Sequence, residues 1–152
     1  MPAIVRSAVL LCIAAAFACA DAHDDVMDVF TKMAAALTQV NADGHAISGN
    51  VAEFMSAVSK DMPDYDTLRN NVTALVNNAE ISSSIEPLTE DIEGDTYKID
   101  LDWVLEIRSL ERDGPLVRRR EVVHGELRKE QKHWKIIALK PVSFFAGASL
   151  GK

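Results

Sequence analysis

The chain reads as an α+β protein, three amino-terminal helices packed on a curved four-stranded antiparallel sheet. Two observations predict this class. Apolar residues recur at helical spacing up to residue 80 and at alternating spacing beyond it. Charge divides at nearly the same place: Asp21 to Asp95 holds fifteen Asp or Glu against three Lys or Arg, whereas Thr96 to Lys152 holds eight against twelve.

Ahead of the helices, residues 1–20 have the order of a cleavable export signal. Arg6 is the one charge, Ala8 to Phe17 is apolar, and Ala18-Cys19-Ala20 presents the small residues a signal peptidase accepts. The apolar run is about ten residues, half the roughly twenty needed to span a bilayer as a helix, so no transmembrane anchor is expected. Export to a bacterial periplasm or secretion follows as the expectation, with lipid attachment at Cys19 as the minor alternative. Cleavage after Ala20 leaves a single domain over 21–145 and a small-residue tail over 146–152. Both cysteines, Cys12 and Cys19, depart with the signal. The remaining chain then has no thiol for a disulfide, a cysteine nucleophile or a thiolate zinc site.

The first helix rests on Val26, Phe30, Met33 and Leu37, which share one face, with Val29, Ala36 and Val40 widening it. Asp24 and Asp25 suit its positive end, and Asn41-Ala42-Asp43-Gly44 should terminate it. The second starts near Asn50, where Glu53 three residues on forms a capping-box pattern ahead of Phe54, Met55 and Val58. After Pro63 a third helix carries Tyr65, Leu68, Val72, Leu75 and Val76 on one face.

Four strands complete the domain. Ile81 to Ile85 is short and serine-rich, and Pro87 closes it. Ile99, Leu101, Trp103, Leu105 and Ile107 then alternate without interruption, the pattern of a half-buried strand. Val117 to Lys129 follows the Asp113-Gly114-Pro115 turn, and His133 to Phe144 follows a turn at Glu130-Gln131. Centring the first hairpin on Asp113 sets Asp102 opposite His124 and Glu106 opposite Arg120. Centring the second between Glu130 and Gln131 sets Glu126 beside Lys135 and Glu121 beside Lys140. Leu101, Trp103, Leu105, Ile107, Val123, Trp134, Ile136 and Ala138 then face the helices. Val104, Val122, Ile137 and Leu139 form an apolar stripe on the opposite, charged face.

This order and these lengths resemble the nuclear transport factor 2-like superfamily, which includes polyketide cyclases and ketosteroid isomerases. The likeness is nearest at Leu101-Asp102-Trp103, at Arg118-Arg119-Arg120-Glu121-Val122-Val123 and at Trp134-Lys135-Ile136-Ile137. It implies a cone, the sheet curling round a pocket that the helices roof. Its enzymes place an acid, base or hydrogen-bond donor inside that cone, where desolvation tunes it.

Inward-facing polar residues are few: Ser83, Arg119, Glu121 and Lys140. Glu121 is the candidate catalytic carboxylate, weighed against an ion-pair network of Arg119, Glu121 and Lys140. Trp103 and Trp134, with Arg119 and Glu121, are the candidate lining of a pocket for a small apolar ligand. Val104, Val122, Ile137 and Leu139 are the candidate interface of a homodimer. His23, His45, His124 and His133 lack ligand spacing, the serines lack an assignable base, and no glycine-rich phosphate loop occurs, so neither metal nor cofactor is expected. Net acidity without a basic, aromatic-interleaved patch argues against nucleic acid. The expectation is an exported, non-catalytic binding or interaction module, with an isomerase-, cyclase- or dehydratase-like enzyme as the alternative.

Overall fold

A computed structural model describes residues 21–40, 43–44, 46–47, 49–111 and 113–147. Residues 1–20, where an export signal is expected, the tail from residue 148, His45 and Arg112 lie outside the described residues. Helix α1 covers residues 21–37 and buries Val26, Phe30, Met33, Ala36 and Leu37, the face that the spacing predicts. It stops sooner than expected. The Ala36 carbonyl accepts from the Asn50 N–H at 2.8 Å, and the Thr38 hydroxyl accepts from the Ser83 N–H at 2.9 Å. The chain instead forms a short antiparallel pair, β1 (Gln39–Val40) with β2 (Ala46–Ile47).

Helix α2 (Val51–Ser56) begins where the capping pattern places it, since Asn50 Oδ1 accepts from the Glu53 N–H at 3.0 Å. Helix α3 (Tyr65–Asn78) buries Leu68, Val72, Leu75 and Val76. Its end runs straight into the sheet.

Four strands form one curved antiparallel sheet in sequence order: β3 (Ala79–Glu93), β4 (Thr96–Ser109), β5 (Leu116–Glu130) and β6 (His133–Lys140). β3 is far longer than the five residues predicted. Pro87 does not close it because this is an edge strand, where a missing N–H costs no ladder bond. A register shift between Pro87 and Thr89 absorbs the ring and leaves Leu88 exposed. β4 is as the alternation predicts, with every odd residue from Tyr97 to Ser109 buried.

The two hairpins correct the expected registers. Asp102 lies opposite Val122 and Asp100 opposite His124, so the β4–β5 pairing is one residue tighter than centring on Asp113 implies. The faces survive, because a shift of the paired sum by two keeps odd residues opposite odd ones. The β5–β6 turn is Gln131-Lys132, with φ of 50° and 70°, as a two-residue type I′ turn requires. A bulge then falls between Glu126 and Leu127. Beyond it the inward and outward positions of β6 exchange: Leu139 lies opposite Gly125 in the core and Ala138 opposite Glu126 on the outer face.

β6 also ends four residues sooner than predicted, at Lys140. After Pro141 a 3-10 turn, Val142–Phe145, folds back under the sheet and buries Phe144 and Phe145. The core between helices and sheet is aromatic. Trp103 meets Phe30 edge-on at 6.2 Å and Phe145 at 5.0 Å, and Phe145 meets Phe54 at 5.5 Å. Gly125 makes room for this layer, since a Cβ there would stand 2.8 Å from Phe30 Cζ.

Candidate functional site

On the helix-facing side, the residues expected to line a pocket do four different things. Trp103 is 0% exposed, hemmed by Phe30, Phe144 and Phe145, and its indole N–H donates to Ser83 Oγ at 2.8 Å. It has no open face for a ligand. Arg119, half-buried, donates to the carbonyls of Phe144 (3.0 Å) and Ala146, fastening the 3-10 turn beneath β5. Burial lowers the pKa of its guanidinium from the ordinary value. These carbonyls are dipoles, so Arg119 is solvated by backbone rather than paired with a carboxylate.

Glu121 lies opposite Trp103 in the ladder, yet it is exposed and makes no side-chain hydrogen bond or ion pair among the described residues. The expected network of Arg119, Glu121 and Lys140 is therefore not formed. The β6 bulge is the reason: it puts Lys140 opposite His124 on the outer face. Trp134 is half-buried at the other end of the sheet. Its ring meets Tyr97 edge-on at 5.8 Å, Lys129 Nζ stands 5.3 Å from its centroid, and its buried Nε1 has no hydrogen-bond partner.

A second inward cluster escapes sequence reasoning. Glu90 Oε1 lies 2.6 Å from His23 Nδ1, and Glu90 Oε2 accepts from the Tyr97 hydroxyl at 2.6 Å. Strict alternation through Pro87 would turn Glu90 outward. The register shift puts it opposite Ile99 and hence on the helix-facing side, where, still exposed, it ties the start of α1 to the β3–β4 hairpin.

The outer face carries a lattice of charge. Asp102 takes three contacts from the Arg120 guanidinium, at 2.6, 3.0 and 3.1 Å. Asp100 lies 2.5 Å from His124 and accepts from Thr89 at 2.9 Å. The hydrogen bond from His124 lowers the Asp100 pKa from its ordinary value, and that from Arg120 does the same to Asp102. The expected pairs Asp102–His124 and Glu106–Arg120 are replaced accordingly. Of the apolar stripe, Val122 is 39% exposed, while Val104 and Ile137 are half-buried; Leu139 is 1% exposed and belongs to the core. The stripe is thus three residues, interrupted by Asp102 and Arg120.

An open groove of about 1340 Å³ runs between the helices and the β5–β6 turn. Val51, Met55 and Val58 give it apolar walls, and Lys60, Arg69 and Lys135 sit among its charged lining. The segment after α2 is held to the sheet beside it. The Ser59 N–H donates to the Ile136 carbonyl at 2.8 Å, the Ile136 N–H to the Ala57 carbonyl at 2.9 Å, and Ser59 Oγ to Glu130 at 2.6 Å. No sequence signal marks the groove, because its walls come from three separate segments.

Among the described residues no helix is long and apolar enough to cross a membrane, and no three His, Cys, Asp or Glu gather as metal ligands. No protein-family model and no curated protein matches the chain. Two solved structures share its fold. A conserved protein from Planctomyces limnophilus aligns with a TM-score of 0.61 at 8% identity, over 78% of this chain and 93% of that one. A proposed aromatic ring hydroxylase from Novosphingobium aromaticivorans aligns with a TM-score of 0.54 at 15% identity, over 76% and 83%. At these identities the likeness is one of fold alone.

Proposed function

We propose that the chain is an exported, non-catalytic interaction module of the nuclear transport factor 2-like type, its cone filled rather than hollow. One observation carries the reading: Trp103, at the centre of the helix-facing side, is wholly buried among Phe30, Phe144 and Phe145. A pocket enzyme needs concave space with ionisable groups aimed into it. Here that volume is occupied by aromatic rings, Arg119 is spent on backbone carbonyls, and Glu121 is solvated. What is left to recognise a partner is the exterior of the sheet and the open groove beside the β5–β6 turn. The alternation of apolar inside and charge outside favours contact with protein over uptake of a small apolar ligand.

Titration of the mature protein with apolar and ring-bearing compounds, followed by tryptophan fluorescence and by thermal unfolding, tests this. No saturable quenching and no rise in Tm are expected. A compound that quenches Trp103 or Trp134 saturably and raises Tm in proportion to its concentration overturns the reading. Mass spectrometry of the exported chain should find Asp21 at its amino terminus. A lipid-modified Cys19 in its place would move the protein from free to membrane-anchored.

A further inference from the structure

The edges of the sheet are managed unequally. An edge strand offers unpaired N–H and C=O groups to any chain that can add to it, and proteins blunt such edges with cover, bulges, proline or charge. β3 is blunted in several ways: Thr38 takes the Ser83 N–H, and Pro87 with its bulge breaks the outer half. On β6, residues 57–59 occupy both backbone groups of Ile136. β5 is different. β6 pairs with it only from His124 to Glu130, so among the described residues the same side of Leu116 to Val123 has no partner strand. Among the described residues no turn or loop backbone bonds to it there.

This open stretch keeps an unbroken register with β4, without proline, glycine or bulge, and Leu116, Val117 and Val122 on it are exposed. Two of its three guanidinium groups are already engaged, while Arg118 stands exposed. Arg120 is already neutralised by Asp102, and Arg119 is turned under to the carbonyls of Phe144 and Ala146. Glu121 has no partner among the described residues.

We infer that β5 pairs antiparallel with β5 of a second copy about a two-fold axis at Arg120, extending the sheet across the dimer. Antiparallel pairing of identical strands keeps like faces together only when paired numbers share parity. Placing the axis at Arg120 puts Arg119 of each copy opposite Glu121 of the other, twice over. It also sets Val117 opposite Val123 and Arg118 opposite Val122. The two Arg120 side chains meet on the outer face, each with its own Asp102. The unpartnered carboxylate, the exposed valines and the missing edge protection thus have one explanation. This specifies, and rests on, the interaction-module reading, naming the partner as a second copy of this chain.

Sedimentation of the mature protein across the micromolar range, beside its Glu121→Arg variant, tests the pairing. Glu121 loses no intramolecular contact on substitution, so at concentrations where both are monomeric the variant should keep the parent Tm. It should dimerise about 100-fold more weakly, because Arg119 of each copy then faces a second guanidinium where it had faced a carboxylate. Arg119→Glu should also fail to self-associate, and mixing the two variants should restore a heterodimer. The pairing is overturned if the parent sediments as a monomer throughout, or if its dimer ignores Glu121→Arg and dissolves with Val104→Asp. That second outcome leaves the interaction-module reading standing through the outer face; a saturable ligand response in the fluorescence titration removes that reading independently.

Discussion

The two faces of one strand, β4, divide the molecule. Tyr97, Ile99, Leu101, Trp103, Leu105 and Ile107 all lie inward and buried, while Lys98, Asp100, Asp102, Val104 and Glu106 point outward into charge. The inner face is close-packed, so each atom there is held by neighbours that cannot relax to replace it. The outer face is held by ion pairs in water, which screening and side-chain entropy make weak. Stability should therefore reside inside, and recognition, which tolerates exchange, outside.

Removing Trp103 should separate the faces most sharply. Trp103→Ala leaves a cavity between Phe30 and Phe145 and deprives Ser83 of its donor, and should cost about 3–5 kcal/mol in urea unfolding. A loss comparable with that of a surface substitution would mean the aromatic layer is not close-packed. Next comes the bulge in β6. Leu139→Ala should cost about 2–5 kcal/mol, whereas Val122→Ala, on the opposite face, should stay within about 0.5 kcal/mol. Equal effects would refute the exchange of faces along β6. Gly125→Ala should cost about 1–3 kcal/mol, because the added methyl meets the buried Phe30 ring.

The smallest effect is the acid response of the outer face. Asp100 and Asp102 have folded pKa values below their unfolded ones, near 3.9. Their contribution is thus present above about pH 4 and lost as pH falls through the folded values. Asp100→Asn with Asp102→Asn should flatten the decline of Tm below about pH 4 and leave the neutral-pH core unchanged. A decline as steep as that of the parent would assign acid sensitivity to other carboxylates.

Much of this was legible because it is periodic. The α1 stripe, the Asn50 cap and the β4 alternation are local patterns, and each stands where its spacing puts it. The candidate site was less legible because face assignment propagates along a strand. One bulge between Glu126 and Leu127 moves Leu139 from the expected interface into the core and Lys140 from the expected network to the outer face. The shift at Pro87 brings Glu90 inward to His23 and Tyr97 in the same way.

The sequence by itself determined the class, the helix faces and the inward row of β4, since burial of an apolar face depends only on residue type and period. Only the tertiary structure decided what fills the space under the sheet. Phe144 and Phe145 reach Trp103 because the chain leaves β6 at Lys140 and turns back, a long-range contact that no local spacing encodes. It likewise decided which stretch of strand is left uncovered. Whether an edge is open depends on where other segments end, and β6 ends opposite His124.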